Sequence, residues 1–423
     1  MNTFRFIHTG DIHLDSPLKG LAGQEGAAAE RIRTATRAAF SNLIDSAIEE
    51  EVAFVIIAGD LYDGDWRDYQ TGLFFVKEMG RLAKANIPAF LIYGNHDAEN
   101  QITKRLTLPD NVRVFPSKKA ATISLDRYGV ALHGQSFKLR AVTENLVPEY
   151  PTPVMDLFNI GILHTGLGGM HGHPNYAPCS LDDLVSKGYD YWALAHVHQG
   201  AVLHRDPYVV FCGNLQGRHI REAGVKSATL VSVEDGAVQE VSRIEADVVR
   251  WMHVPVNAEG AAYSGELFDR IRCGIEDAVA NHAAGRLLAC RIELTGRTSL
   301  HDEILSSREL LVAEARAAAL ALGHEGAWIE RLVIRTLPDV ATSALRGMDA
   351  LTELQTIFAE AVNDPGLRSQ FDADIGELVR KLPHEVKVAL EDGILKAAAD
   401  GDHSQVIERA SRYLRARLVA GGV

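Results

Sequence analysis

A chain of 423 residues that is 47% hydrophobic and 23% charged has ordinary globular composition. That excludes disorder, collagen and coiled coil as the main state and leaves room for two or three domains, each able to bury a core. The 43 Lys and Arg against 56 Asp and Glu give a formal net charge of −13, which argues against a free-standing duplex-DNA binder with a basic face.

In chain order, the first half alternates short β-branched runs with longer helical patterns. Phe4–Thr9 is a predicted strand, Arg31–Glu51 a long helical stretch, and Ala53–Ala58 a continuous apolar run of the kind buried on both faces of a sheet. Gly72–Ala85 reads as a helix and Pro88–Tyr93 as another buried strand. Further strands are expected at Val130–His133, Phe158–His164, Tyr191–Ala195, Tyr208–Cys212 and Ala228–Val233. This rhythm is that of an α/β layered sandwich. Past Ile244–Trp251 no polar motif punctuates a strand end. Leu288, Cys290, Ile292 and Leu294 alternate with Ala289, Arg291 and Glu293, as in a half-buried strand. Asp302–Leu322 is helical, and Trp328–Thr336 is another strand. From Met348 the chain reads as several helices, broken near Asp364–Gly366 and at Pro383. The expected organisation is a large domain over residues 1–245, a smaller α/β domain over 246–340 and a helical region over 341–423.

No window approaches the ~20 apolar residues that span a bilayer. The N-terminal MNTFRFIHTGD lacks the basic, apolar and small-residue regions of a signal peptide. Cys179, Cys212, Cys273 and Cys290 are far apart and form no CxxC pair. A cytoplasmic protein with reduced thiols and no membrane association is expected.

Five short stretches carry the chemistry, each directly after an apolar run. They are TGDIHLD with Asp11 and His13, AGDLYD with Asp60 and Asp63, YGNHD with Asn95, His96 and Asp97, ILHTG with His164, and LAHVHQ with His196 and His198. Loops beyond the carboxyl ends of strands in an α/β sheet converge on one crevice. Five such loops are therefore expected to meet although they are distant in sequence. On extended chain residues i and i+2 point to the same side, so Asp11/His13 and His196/His198 each aim two ligands together. Gly10, Gly59 and Gly94 are expected to let the backbone turn sharply as each strand ends. Asp, His and Asn donors without a thiolate suit hard to borderline divalent metals such as Mn²⁺, and bound cations would supply positive charge where a phosphate sits.

In this order the motifs resemble the calcineurin-like metallophosphoesterase superfamily, whose pattern is DxH, GDxxD, GNHD, a lone H, then GHxH. The resemblance covers roughly the first 215 residues, and Ala195 stands where the last motif usually has Gly. It implies a metallophosphoesterase α/β sandwich, two mixed sheets flanked by helices, with a smaller α/β capping domain and a helical C-terminal region. It also implies two divalent metal ions, with Mn²⁺ expected. One would be held by Asp11, His13, Asp60 and His198, and the other by Asp60, Asn95, His164 and His196, with Asp60 bridging. Two cations about 3.5–4 Å apart clamp a phosphate and lower the pKa of a bridging water, whose hydroxide attacks phosphorus. His96 is then placed to protonate the leaving oxygen, and Asp63 to orient its imidazole.

Longer strings narrow the resemblance: FIHTGDIHLDSPL, GDLYDGDWRD, ITKRLTLPDNV, NYAPCSLDDL, DYWALAHVHQ and GNLQGRHIRE. They look like bacterial DNA-repair exonucleases of the SbcD/YhaO type, relatives of the nuclease subunit of the Mre–Rad complex. That branch implies DNA as substrate, an appended capping region, and a homodimer as a form of assembly. It also implies an SMC-type (SbcC/Rad-like) ATPase partner whose surface handles the DNA. The shared metal core leaves open a phosphatase or nucleotide phosphodiesterase on small substrates. A non-catalytic scaffold subunit of such an ATPase complex also stays open.

Other residues carry weaker expectations. His8 and His133 are expected as hydrogen-bonded histidines, either supporting the ligands from behind or lying in the core, rather than as ligands. Arg218 and Arg221 in GRHIRE are candidate contacts to DNA phosphates through their guanidinium forks. Trp66, Arg67 and Tyr69 fit either stacking on a nucleotide or helix-entry packing. His171 and His173 fit either a substrate-facing or a solvated loop. Val406–Leu418 is a basic amphipathic helix that packs on its own domain or docks a partner's coiled coil.

Overall fold

The structure, a computed structural model, describes residues 3–16, 27–63, 69–98, 107–169, 175–323 and 326–339, and beyond them 360, 364–381, 396–398, 400, 405–406 and 410. Trp66, Arg67, His171, His173 and most of 341–423, including all of Val406–Leu418 but residues 406 and 410, lie outside the described residues. The chain divides into two compact units. One is Met1–His253 with Val279–Cys290 and Leu322–Glu330, the other Val254–Ala278 with Arg291–Ala321 and Arg331–Val423.

Two six-stranded mixed sheets build the first unit. In the first sheet β1 (Thr3–Thr9), β2 (Phe54–Ala58), β3 (Ala89–Ile92) and β4 (Val112–Val114) run parallel. Strands β11 (Ser227–Glu234) and β12 (Ala237–Glu245) extend it antiparallel, in the order β12-β11-β1-β2-β3-β4. The second sheet has β6 (Val130–Gly134), β7 (Phe158–His164), β8 (Tyr191–Ala195) and β10 (Tyr208–Phe211) parallel at its centre. Its edges are the antiparallel β5 (Ala121–Leu125) and β9 (Ala201–Arg205), in the order β5-β6-β7-β8-β10-β9.

Alternation along each strand decides which layer a side chain enters. Phe6, Phe54, Ile56 and Phe90 of the first sheet share one core with Leu132, Ile160, Tyr191 and Val210 of the second. The intervening Ile7, Val55, Ile57 and Leu91 pack instead on helices. The stretch Arg31–Glu51 is two helices, α1 (Ala27–Arg33) and α2 (Ala35–Glu49), parted at Thr34, whose hydroxyl bonds back to the Glu30 carbonyl. Phe40 and Leu43 of α2 and Phe75 and Met79 of α3 (Tyr69–Lys84) cover the first sheet. On the outer face of the second sheet Trp192 and Phe211 pack with Tyr150, Tyr189 and Leu184, the last from α4 (Leu181–Ser186). Runs apolar at every position therefore arise because both faces are covered. Gly161, paired with Trp192 across β7 and β8, has a packing cause: a Cβ there would lie 2.4 Å from the indole ring.

The second unit carries α5 (Ser264–Ala278), α6 (His301–Ser306), α7 (Arg308–Ala321) and α8 (Pro365–Lys381). Leu267, Ile271 and Ile275 form the buried stripe of α5. Strands β13 (Val249–Asn257), β14 (Leu287–Thr295) and β16 (Ala327–Ile334) make a three-stranded sheet. The short β15 (Arg297–Thr298) pairs in parallel with β17 (Leu337–Pro338). All four cysteines are free. Among the described residues no helix is long and apolar enough to cross a membrane.

Candidate metal centre

The carboxyl ends of β1, β2, β3, β7 and β8 lead directly to Asp11, Asp60, Asn95, His164 and His196. These loops come from both sheets and close on one cluster. The ligand atoms of Asp11, His13 and His198 lie within 4.8 Å of one another, as do those of Asp60, His164 and His196. A third such group is His13, Asp60 and His96.

The local backbone is unusual. Asp11 and His13 both sit at φ +47°, Asp60 at +51° and His196 at +102°. Positive φ is uncommon outside glycine, with Asp, Asn and His the tolerated exceptions. Asp11 and His13 thus converge through left-handed turns rather than along extended chain. The glycines also differ from expectation. Gly59 does turn at φ +100°, but Gly10 and Gly94 are not left-handed. They allow close approach instead: a Cβ on Gly94 would lie 2.3 Å from Asp60 Oδ1, and one on Gly10 2.6 Å from Ala195 Cβ.

At Asp60, His164, Asp11 and His198 a hydrogen bond on one side-chain atom leaves the other facing the cluster. Asp60 Oδ1 accepts from the His96 backbone N–H at 2.9 Å. Its Oδ2 is left 3.9 Å from His13 Nε2 and 3.4 Å from His164 Nε2. His164 Nδ1 donates to the Ala58 carbonyl at 3.0 Å, which leaves Nε2 facing Asn95 Oδ1 at 3.0 Å. Asp11 Oδ2 accepts from the His196 backbone N–H at 2.8 Å, while Oδ1 is buried without a hydrogen-bond partner. His198 Nδ1 donates to Glu222 at 2.6 Å, and its Nε2 stands 3.3 Å from His13 Nε2. Asp97 does not join the cluster. It braces two loops by accepting from the backbone N–H groups of Leu61, Tyr62 and Gly94.

The electrostatics suit a cation. Burial opposes a charge on His164, yet the carboxylates of Asp60 and Asp11 outweigh it and hold the imidazole up to about 9. Asp/His/Asn donors, an orphaned buried carboxylate oxygen and a carboxylate shared by two imidazoles together fit divalent cations of the hard to borderline class.

Beside the cluster stands a carboxylate–imidazole pair. His96 Nδ1 donates to Asp63 Oδ1 at 2.9 Å. Burial lowers the affinity of His96 for its proton, but the bond to Asp63 and the field of Asp60 prevail and raise it above its ordinary value. For Asp63, burial is outweighed by His96, His13, Ser16 and Arg218, which hold its carboxyl well below the usual range. Arg218, with a side chain only 16% exposed, reaches Asp63 Oδ2 at 3.8 Å. Its Nη2 lies 3.2 Å from Glu222 Oε1. Arg221, by contrast, is exposed. Tyr69 is exposed at the start of α3.

His8 and His133 lie in the core. His8 Nδ1 meets the Tyr191 hydroxyl at 3.0 Å, and burial pushes its imidazole down to about 3. His133 lies between Thr122 and Asn159 and stacks on Tyr189 at 4.4 Å. Sequence reasoning missed Glu222 and Ser16, whose hydroxyl donates to Asp63 at 2.6 Å. The available signal for Glu222 was position: the segment after Phe211 follows another parallel strand, so it belongs to the same rim.

Residues 4–200 match the calcineurin-like phosphoesterase family, and residues 251–337 match the middle domain of metallophosphoesterase YhaO. The chain is 36% identical over 270 residues to the uncharacterized metallophosphoesterase YhaO of Bacillus subtilis, covering 63% of this chain and 66% of that one. It is 25% identical over 278 residues to the DNA double-strand break repair protein Mre11 of Sulfurisphaera tokodaii, covering 61% of this chain and 66% of that one. The chain thus spans just under two thirds of the length of these relatives. A solved dimetal phosphatase from Danio rerio aligns with 57% of this chain and 96% of its own at 10% identity, with a TM-score of 0.35, too low to argue from.

Proposed function

This chain belongs, through residues 4–200, to the calcineurin-like phosphoesterase family, and from that premise we propose that it is a two-metal phosphodiesterase that cuts DNA as a repair exonuclease. The observation that carries the reading is Asp60, whose Oδ2 faces His13 Nε2 at 3.9 Å and His164 Nε2 at 3.4 Å. One cation would be held by Asp11, His13, Asp60 and His198, the other by Asp60, Asn95, His164 and His196. Oxygen and imidazole donors without a thiolate are compatible with Mn²⁺, the cation this reading takes. When bound, such cations supply positive charge to a phosphate and lower the pKa of coordinated water.

The protein's own residues do the rest. The backbone N–H of His96 fixes the Asp60 carboxylate, and Asp97 ties the loops of Leu61 and Gly94 together, so the cluster is preorganised. Asp63 holds His96 by Nδ1, leaving the Nε2 proton for the leaving alkoxide oxygen. Arg218 offers guanidinium charge to the phosphate.

DNA as the substrate is supported by similarity to Mre11, a DNA double-strand break repair protein. A net charge of −13 supports a partner that supplies a basic DNA surface. An SMC-type ATPase, acting with a dimer of this chain, is the partner of that description. The test is hydrolysis with and without Mn²⁺ of single-stranded DNA, double-stranded DNA and p-nitrophenyl phosphate, beside Asp60→Ala. We expect Mn²⁺-dependent release of nucleotides from DNA ends, and loss of both ions and of activity in the variant. Turnover of the small ester alone would make the chain a phosphatase, and no turnover at all a scaffold. Full two-ion occupancy in Asp60→Ala would overturn the bridging assignment.

A further inference from the structure

Glu222 is 7% exposed, yet it is an acid surrounded on every side by donors. Oε1 accepts from His198 Nδ1 at 2.6 Å and from Arg218 Nη2 at 3.2 Å. Oε2 accepts from Asn214 Nδ2 at 3.0 Å and from the Arg218 backbone N–H at 2.8 Å. Arg218 Nη2, which only donates, also lies 3.3 Å from His198 Nδ1, but the far shorter 2.6 Å contact is to a carboxylate, which only accepts, so His198 carries its proton on Nδ1 and presents Nε2 as a lone pair. The same guanidinium reaches Ser16 Oγ at 3.4 Å and Asp63 Oδ2 at 3.8 Å, beside the bond from Asp63 to His96.

We propose that Glu222 is a positioning residue of the metal centre, setting the tautomer and aim of His198 toward one cation and, through Arg218, tying that half of the site to the Asp63–His96 pair. This rests on the metal-centre reading above. A ligating imidazole whose other N–H is held by a carboxylate is fixed in orientation and made more basic, and removal of the carboxylate weakens metal binding by about 10–100-fold. Only the cation on the His198 side depends on Glu222. The other set contains neither His198 nor any residue bonded to Glu222.

Two variants test this in the full chain, with Mn²⁺ alone titrated by calorimetry and no substrate present. Glu222→Gln keeps the size but puts an NH₂ against a donor whichever way the amide is turned. Glu222→Asp keeps the charge beside Arg218 but withdraws the carboxylate from His198 by one methylene. In each we expect two binding events, one weakened by about 10–100-fold and the other unchanged. General damage would weaken both together, and that result would overturn the proposal, as would two wild-type affinities in a folded variant. If Glu222→Gln does not fold, Glu222→Asp decides, because it leaves no uncompensated charge. Failure of the wild-type chain to bind two Mn²⁺ ions would instead remove the metal-centre reading itself.

Discussion

At His96 two roles compete, and its surroundings separate them. The imidazole lies in a group with His13 and Asp60 close enough to share a cation, but its Nδ1 is committed to Asp63 at 2.9 Å. His96→Asn should therefore keep both ions and lose a proton donor. The rate on a DNA phosphodiester, which leaves as a poor alkoxide, should fall by about 10²–10⁴-fold. On p-nitrophenyl esters the deficit should be much smaller, because that leaving group needs little protonation. Metal content and turnover of both substrates, measured side by side, decide the point; loss of an ion would make His96 a ligand. His8 offers a different measurement. Its folded value of about 3 lies below the ordinary 6.5 of an unfolded histidine. The stability it contributes is complete above pH 6.5 and drains away as pH falls toward 3. Between pH 6 and 5 the unfolded chain binds nearly one proton more at this site, about 1.4 kcal/mol per pH unit. Denaturant melts in EDTA should show that slope flattened in His8→Gln. An unchanged slope would place the titration elsewhere.

At the scale of elements, legibility followed burial. Phe158–His164 and Tyr191–Ala195 are strands with the bounds expected from sequence, because central strands covered on both faces are buried at every position and largely apolar. Edge strands escaped. Ala121–Leu125 and Ala201–Arg205 each expose two of five residues and, like Ala237–Glu245, bury none. Long helical patterns were legible, but not their breaks at Thr34 and Ser307, since each break keeps the apolar face in register. The site followed the same logic. Every motif at a strand end could be read, whereas Glu222 carries no motif of its own and meets His198 only through the fold. Packing between adjacent strands gives an element-scale prediction. Gly161→Ala would drive a methyl to 2.4 Å from the ring of buried Trp192, and overpacking of this kind costs about 1–3 kcal/mol. Urea unfolding of the variant should show a lowered midpoint with an unchanged slope. Wild-type stability would mean that β7 and β8 can part without penalty.

For the whole molecule, the first unit does not end where its motifs end. Gln216 accepts from the backbone of Val248 and Val249 through Oε1, and donates to the Val249 carbonyl at 2.7 Å. Trp251, buried, donates to the Gly217 carbonyl at 2.8 Å. Val249, Trp251, Leu287 and Ala289 share a core with Ile32 and Ile220. The loop that carries Arg218 and Glu222 is therefore held by chain that comes after Asp247. Truncation at Asp247 keeps every candidate ligand but removes that support. The shortened protein should melt below the full chain and bind its His198-side Mn²⁺ ion more weakly, while the other ion is retained. Calorimetry and thermal melts on both lengths test this; equal affinities would show that the loop keeps its shape unaided.

The left-handed turns at Asp11, His13 and Asp60 restrict how this chain can drift in evolution. Each position passes two independent filters, one for metal donors and one for backbone shape, and Asp, Asn and His are the side chains that pass both. Glycine passes only the second. A descendant freed from its chemistry would meet no steric penalty for glycine there, and the turn would even relax. Glycine at any of these positions would thus be the scar of an abandoned activity in a fold otherwise intact.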